Sequence, residues 1–143
     1  MLIFRPIRED DLPKLTKLAA EIFNDTDPKH ALEVFSHTFN NSVLSSSILA
    51  IDEESDQIIG AIFAEHSIAF RSPNSAYIRS LFIQPKFHGK GVGQELLSRC
   101  TKALKAAKIA YVTLQVYPDN QPAIALYEKE GFRLSRYVYS KEI

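Results

Sequence analysis

The chain has 143 residues, 45% of them hydrophobic and 24% charged, with 17 basic and 17 acidic side chains that cancel. This length suits a single domain, 1–143, with a real core. The even charge argues against a nucleic-acid binder, whose affinity rests on neutralising phosphates. No apolar run is long enough for a membrane span, and the apolar start at residues 1–4 is too short for a signal peptide. The one cysteine, Cys100, excludes an internal disulfide and makes a cytoplasmic setting the default expectation.

In chain order, residues 2–7 read as a short strand, with Ile3 and Arg5 on one face and Leu2 and Phe4 on the other. Glu9, Asp10 and Asp11 supply an acidic helix start, with Pro13 tolerated in the first turn and Leu12, Leu15, Leu18, Ala19 and Ile22 as the buried stripe. Residues 24–27 break that helix. Asp27-Pro28 then caps a second one that turns Leu32, Phe35 and Phe39 inward and closes at Asn40-Asn41. Strands are expected at 47–51 and 57–66, joined as a hairpin by the polar turn 52–56, with Gly60 marking a bulge or a close backbone approach. A turn at 71–75 leads into an apolar strand at 76–83. A long helix follows, with Leu96, Leu97, Cys100, Leu104 and Ala107 on one stripe. A strand at 111–117, a short helix at 120–130 stopped by Gly131, and a last strand at 132–141 complete the chain. The strand–helix–strand unit 76–117 should be a right-handed parallel crossover, and the strands before it antiparallel. The expected fold is therefore α/β (α+β), a mixed and mostly antiparallel sheet with helices on both faces.

Between the strand at 76–83 and the long helix lies His88-Gly89-Lys90-Gly91-Val92-Gly93, with a glycine at every second position. Glycines at a helix start let backbone N–H groups and the positive end of the helix dipole approach an anion such as pyrophosphate. The spacing is neither GxxxxGK[ST] nor GxGxxG, so it is not the loop of a nucleoside triphosphatase or of a dinucleotide-binding domain. It resembles the acyl-CoA-binding motif of the GNAT superfamily of N-acyltransferases, [QR]xxGxG[AG] after a strand that ends in a proline turn, here Ile83-Gln84-Pro85. His88 stands where that family usually has Gln or Arg. A second stretch resembles the family's N-x-x-A-x-x-x-Y-x-x-x-G-F, through Asn120, Ala123, Tyr127, Gly131 and Phe132. The element order resembles the GNAT fold over essentially the whole length, except that only one strand follows Gly131. That shortfall leaves a sheet edge open to a partner chain, such as a second copy.

The resemblance implies an acetyl-CoA-dependent N-acetyltransferase acting on a primary amine of a small molecule, peptide or protein by direct attack, with acetyl-CoA as co-substrate and no metal. It implies a cofactor set of Leu81, Phe82 and Ile83 along the strand, His88, Gly89, Lys90, Gly91, Val92, Gly93 and Gln94 around the loop, and Asn120 and Tyr127. Asn120 and Tyr127 are two helical turns apart and project the same way. A tyrosine, with a reference pKa of about 10, stays protonated at neutral pH and can give a proton to a departing thiolate, so Tyr127 is the expected general acid. The base is less determined. Many family members carry a glutamate in the central strand, where this chain has Arg79. Glu65 or His66 on the preceding strand is a substitute, only one of which can face the cleft, and a water chain is another route. Lys86 and Lys90 are phosphate-binding or simply solvated, Asp25 and Asp27 attract a cationic amine or merely flank a helix, and His30 and His37 read as surface residues. No His/Cys/Asp cluster has metal-ligand spacing. The alternative is a non-catalytic acyl-CoA-binding module of the same fold.

Overall fold

The computed structural model describes residues 1–24, 26–69 and 72–143. Strand β1 (Leu2–Pro6) leads through a 3-10 turn (Glu9–Asp11) into helix α1 (Leu12–Ile22), followed by α2 (Pro28–Asn40). Strands β2 (Ile48–Asp52), β3 (Gln57–Ala69) and β4 (Ser72–Ile83) come next, then a 3-10 turn (Pro85–Phe87), α3 (Val92–Ala106), β5 (Tyr111–Leu114) and α4 (Gln121–Lys129). The five strands lie in sequence order, β1-β2-β3-β4-β5, antiparallel up to β4 and parallel between β4 and β5. This is the predicted α/β class with a mostly antiparallel sheet.

The sheet buries both faces because β2 and β3 carry apolar residues at successive positions. On one face Ile48, Ile59, Ile62, Ala64 and Ile78 meet Leu96, Leu97, Cys100 and Leu104 of α3. On the other, Leu49, Phe63 and Phe82 meet Leu12, Leu15 and Leu18 of α1 and Phe35 of α2. Phe35 stacks on Phe63 at 4.5 Å and on Phe82 at 5.8 Å between ring centroids. Asp11 fastens the start of α1 to the sheet: it accepts two 2.8 Å bonds from the Arg5 guanidinium and one of 2.7 Å from the Arg8 N–H. The Arg5 hydrogen bonds hold the Asp11 carboxyl below its ordinary pKa. At α2, Asp27 accepts from the Lys29 N–H at 3.1 Å, as the cap reading required.

Several boundaries differ from the sequence reading. The hairpin strands are longer than expected: β4 begins at Ser72 and β3 runs to Ala69, so residues 72–75 are strand, while Arg71 and Asp25 lie outside the described residues. Leu32 is exposed, and Ala31 takes the inward place beside Phe35. Ala107 lies past the end of α3 and is exposed, so the stripe closes at Leu104. Strand β5 stops at Leu114 instead of Tyr117. The segment 132–141 is not a strand of the sheet: it makes no ladder with β5, because its N–H and C=O groups from 133 onward meet no backbone partner among the described residues. Gly60 is a close approach, since a Cβ there would lie 2.8 Å from the Phe82 carbonyl oxygen, and the β2–β3 register shifts beside it, between Ala50 and Ile51.

Candidate active site

The parallel β4–β5 ladder ends at Ile78 and Leu114. Beyond that point β4 continues to Ile83 while β5 turns away, so the two chains splay. A cleft of about 820 Å³ opens between them, and every residue of the predicted cofactor set lines it except Lys90. Outward from the ladder, the polar edge of Arg79–Ile83 that faces the cleft has no strand beside it, which leaves backbone groups for an extended ligand to pair with.

At the carboxyl end of β4 the chain is pinned before it turns. The Gln84 N–H donates to the Ile59 carbonyl at 2.7 Å, and His88 Nε2 donates to the Ile83 carbonyl at 2.9 Å. His88 thus braces the loop against the strand, a role that explains how a residue other than Gln or Arg can hold this position. Gly89 and Gly91 then take φ of +75° and +79°, the left-handed region where a side chain is strained. An added Cβ would meet nothing within 4 Å at either, so their surroundings are open. No side chain caps α3. The N–H groups of Val92, Gly93 and Gln94 meet no partner among the described residues, and the first helical bond is Glu95 N–H to the Gly91 carbonyl. Open space over left-handed glycines and a row of unpaired donors at a helix start fit a pyrophosphate. Lys90 instead places its ammonium 5.4 Å from the Phe87 ring centroid, and Lys86 does the same at 5.5 Å.

The opposite wall is α4. Asn120 accepts from the Ala123 N–H at 3.3 Å and so caps the helix as well as lining the cleft. Gly131, at φ +92°, ends the helix, and the Phe132 N–H donates to the Tyr127 carbonyl at 3.0 Å. The Phe132 ring meets Tyr127 edge-on at 6.1 Å. These contacts fix the Tyr127 ring at the cleft, and burial raises its hydroxyl pKa above the ordinary value. The hydroxyl therefore keeps its proton throughout the neutral range.

Glu65 and His66 face opposite ways, as strand alternation requires. His66 is exposed. Glu65 is buried, pairs across the sheet with Tyr77, and is not among the residues lining the cleft. Arg79, which does line it, grips one Glu65 oxygen with both Nε (3.0 Å) and the terminal nitrogen. His37 Nε2 stands 3.9 Å from the other oxygen. Arg79 also lies 4.9 Å over the Tyr77 ring. The sequence offered Arg79 as a missing acid; the structure gives it a buried acidic partner from the neighbouring strand, which no local spacing encodes. Ile22 and Phe23 at the end of α1 also enter the cleft, with Phe23 edge-on to Phe82 at 6.3 Å. Asp27 is exposed and occupied with its cap. Cys100 is buried under α3, with its thiol pKa pushed up to about 12 by burial, so it is inert. Among the described residues no group of three or more His, Cys, Asp or Glu is placed to hold a metal ion.

Known proteins resemble this chain in sequence and in fold. The chain is 24% identical to N-alpha-acetyltransferase 30 of Schizosaccharomyces pombe over 141 residues, covering 96% of this chain and 90% of that protein. Its fold is similar to that of AAC(6')-Iy in complex with the bisubstrate analog CoA-S-monomethyl-acetylneamine, at a TM-score of 0.81 and 16% identity, covering 100% of this chain and 99% of the other. It is equally similar, at a TM-score of 0.81 and 19% identity, to a chain of the NatC complex bound to Gag peptide and CoA, covering 94% of this chain and 86% of that one. The model of the acetyltransferase (GNAT) family matches residues 12–132, from the first core residue of α1 to the phenylalanine behind Tyr127. A glycine cradle at one strand end, a tyrosine at the next and a match over this span have one meaning: the chain belongs to the acetyltransferase (GNAT) family and is an acetyl-CoA-dependent acetyltransferase.

Proposed function

We propose that the whole chain, 1–143, is one N-acetyltransferase domain that acetylates the α-amine of a peptide or protein, with Tyr127 as general acid. The observation that carries the acceptor class is the lining of the cleft. Among the described residues it contains no carboxylate, and its one permanently charged side chain, Arg79, is already paired with Glu65. A polycationic acceptor such as an aminoglycoside gains nothing from such a wall. A single amine flanked by apolar groups does, because Ile22, Phe23 and Phe82 supply apolar surface.

Proton chemistry supports the same choice. An α-amine has a reference pKa of about 7.7–8.0, so roughly one in seven is already neutral at pH 7; a lysine amine, at about 10.4, is neutral in only about one in 2,500. A site without a free base serves the first far better than the second. Glu65 does not line the cleft, and its Oε1 is held by two Arg79 hydrogen bonds, so it does not meet an amine there directly. It is better read as the residue that fixes Arg79 at the cleft wall, with the amine proton passing to water.

Acetyl-CoA supplies an acyl carbon activated as a thioester. The unpaired N–H groups of Val92, Gly93 and Gln94 hold its pyrophosphate, and the free edge of Leu81, Phe82 and Ile83 aligns the extended arm with the cleft. The amine nitrogen forms its bond to the acyl carbon as the carbon–sulfur bond breaks. Tyr127 delivers its hydroxyl proton to the departing sulfur and recovers one from solvent. A cytoplasmic setting fits a lone buried thiol, and the flank beyond Gly131 suits pairing with a second copy.

Release of free thiol from acetyl-CoA tests the reading, with three acceptor sets: peptides with a free α-amine and an apolar first residue, the same peptides blocked at the α-amine but carrying lysine, and an aminoglycoside. Turnover confined to the first set is expected. Turnover fastest on the aminoglycoside or on lysine would reject the acceptor class. CoA-dependent thermal stabilisation without turnover on any amine would favour the non-catalytic acyl-CoA-binding module.

A further inference from the structure

We propose that Arg79 selects the acceptor: its free terminal nitrogen donates to the oxygen on the carbon next to the amine-bearing one, which in a peptide is the carbonyl oxygen of the first residue. This deepens the α-amine reading given above and rests on it.

Three features of the molecule converge on this side chain. The first is its place. The β4–β5 ladder ends at Ile78 and Leu114, so Arg79 is the first residue of β4 past the point where the strands part. It is also a bulge: on β3, Phe63 faces Ser80 and Ala64 faces Ile78, which leaves Arg79 without a partner across that ladder. A bulge re-aims the side chain it carries. The second is a free edge. A guanidinium presents five N–H donors in a fixed fork. Nε and Nη2 both donate to Oε1 of Glu65, whereas Nη1 has no hydrogen-bond partner among the described residues. The side chain lines the cleft and is 40% exposed. The third is rigidity. The Glu65 anchor is buried, and the Tyr77 ring lies 4.9 Å from the guanidinium carbon. A long side chain already held in place loses little freedom when it meets a ligand.

The chemistry of the free edge names its ligand. It can only donate, so it takes an oxygen. Glu65 cancels the charge of Arg79, so the pair offers the cleft a directed donor more than a net cation. That suits a neutral carbonyl. In an α-amine acceptor such an oxygen lies about 3 Å from the attacking nitrogen. In a lysine side chain the nearest carbonyl stands beyond a four-carbon stem. The donor edge also disfavours an ammonium beside it, so it favours the amine in its neutral, nucleophilic form. Ile22, Phe23 and Phe82, in the same cleft, are left to meet the side chain of that first residue.

The test compares three acceptors with one side chain: phenylalaninamide, 2-phenylethylamine, which lacks the oxygen, and phenylalanine, whose oxygen belongs to a carboxylate. Thiol release from acetyl-CoA gives kcat/KM for each, taken per neutral amine from pH profiles so that differing basicity does not count. The wild-type protein should prefer phenylalaninamide to 2-phenylethylamine by roughly tenfold to a hundredfold, as loss of a hydrogen bond to a charged group requires. Arg79→Met should bring that ratio close to one. Since Arg79→Met leaves Glu65 buried and unpaired, the double variant Arg79→Met/Glu65→Gln is measured beside it, with CoA-dependent thermal stabilisation to report folding. A wild-type ratio near one overturns the proposal without any variant. A ratio that survives in a folded variant overturns it as well, because another group then reads the oxygen. Fastest turnover of phenylalanine, with its ratio to 2-phenylethylamine lost in the variants, keeps the Arg79 contact and overturns the peptide acceptor. Fastest turnover on a lysine side chain or an aminoglycoside, or none on any amine, overturns both.

Discussion

Residues up to Leu104 and residues from Lys105 onward are packed in different ways. Every buried side chain belongs to the first part; from Lys105 to the end none is buried, and α4 is half-buried at best. The cofactor cradle stands on the first part, at the junction of β4 and α3, where Ile83, Val92 and Leu96 join the core. The proposed proton donor stands on the second. The difference teaches that binding and chemistry rest on supports of unequal stiffness: the cradle is built into the core, and the Tyr127 side of the cleft is held by α4, Phe132 and whatever covers the tail.

The largest effect should come from breaking the stiff part. Leu97 is fully buried beneath α3, so Leu97→Ala should cost about 2–5 kcal/mol of stability. Leu134→Ala, in the exposed tail, should cost the dilute protomer no more than about 0.5 kcal/mol. Urea midpoints measure both; equal losses would erase the contrast between the two parts.

Next in size is a pair of glycines in the same backbone conformation. Gly91 and Gly131 both have positive φ and open space around them. Alanine at either should cost about 1–2 kcal/mol of strain. Only Gly91→Ala should also weaken CoA binding, by roughly tenfold or more, because the strained turn presents the helix N–H groups. Calorimetry separates the two, and equal CoA affinities in both variants would remove the cradle from its assigned role.

A smaller effect is in pH. The depressed Asp11 pKa implies stability that is fully present above the ordinary carboxylate value of about 3.9 and is lost as pH falls through the lower folded value. Asp11→Asn should flatten that acid limb of the melting temperature. The raised Tyr127 pKa has the opposite placement: any fall in kcat from loss of its proton should lie above about pH 10, out of reach of the neutral range.

The two parts were also unequally legible. The glycine loop, the α3 stripe through Leu104 and the Asn120–Phe132 stretch could be read because their signals are local: spacing, caps, and periodicity. The strand at 132–141 could not, because strand-forming residues do not make a strand without a ladder, and from 133 onward the backbone groups meet no backbone partner among the described residues. Leu114 as the end of β5 was hidden for a related reason: the apolar alternation continues through Val116, yet the chain leaves β4 there to open the cleft. Glu65 was legible as an acid near the site, but not its attachment to Arg79, since that pairing depends on the β3–β4 register shift between Phe63 and Ala64.

The most direct measurement is the turnover of Tyr127→Phe on the best α-amine acceptor, with CoA affinity determined on the same sample. The account predicts kcat lowered by roughly tenfold to a thousandfold with CoA affinity nearly unchanged, as loss of a proton donor used only in the transition state requires. Wild-type kcat in Tyr127→Phe, with thiol still released on the α-amine, would contradict it and reduce Tyr127 to a packing residue of α4.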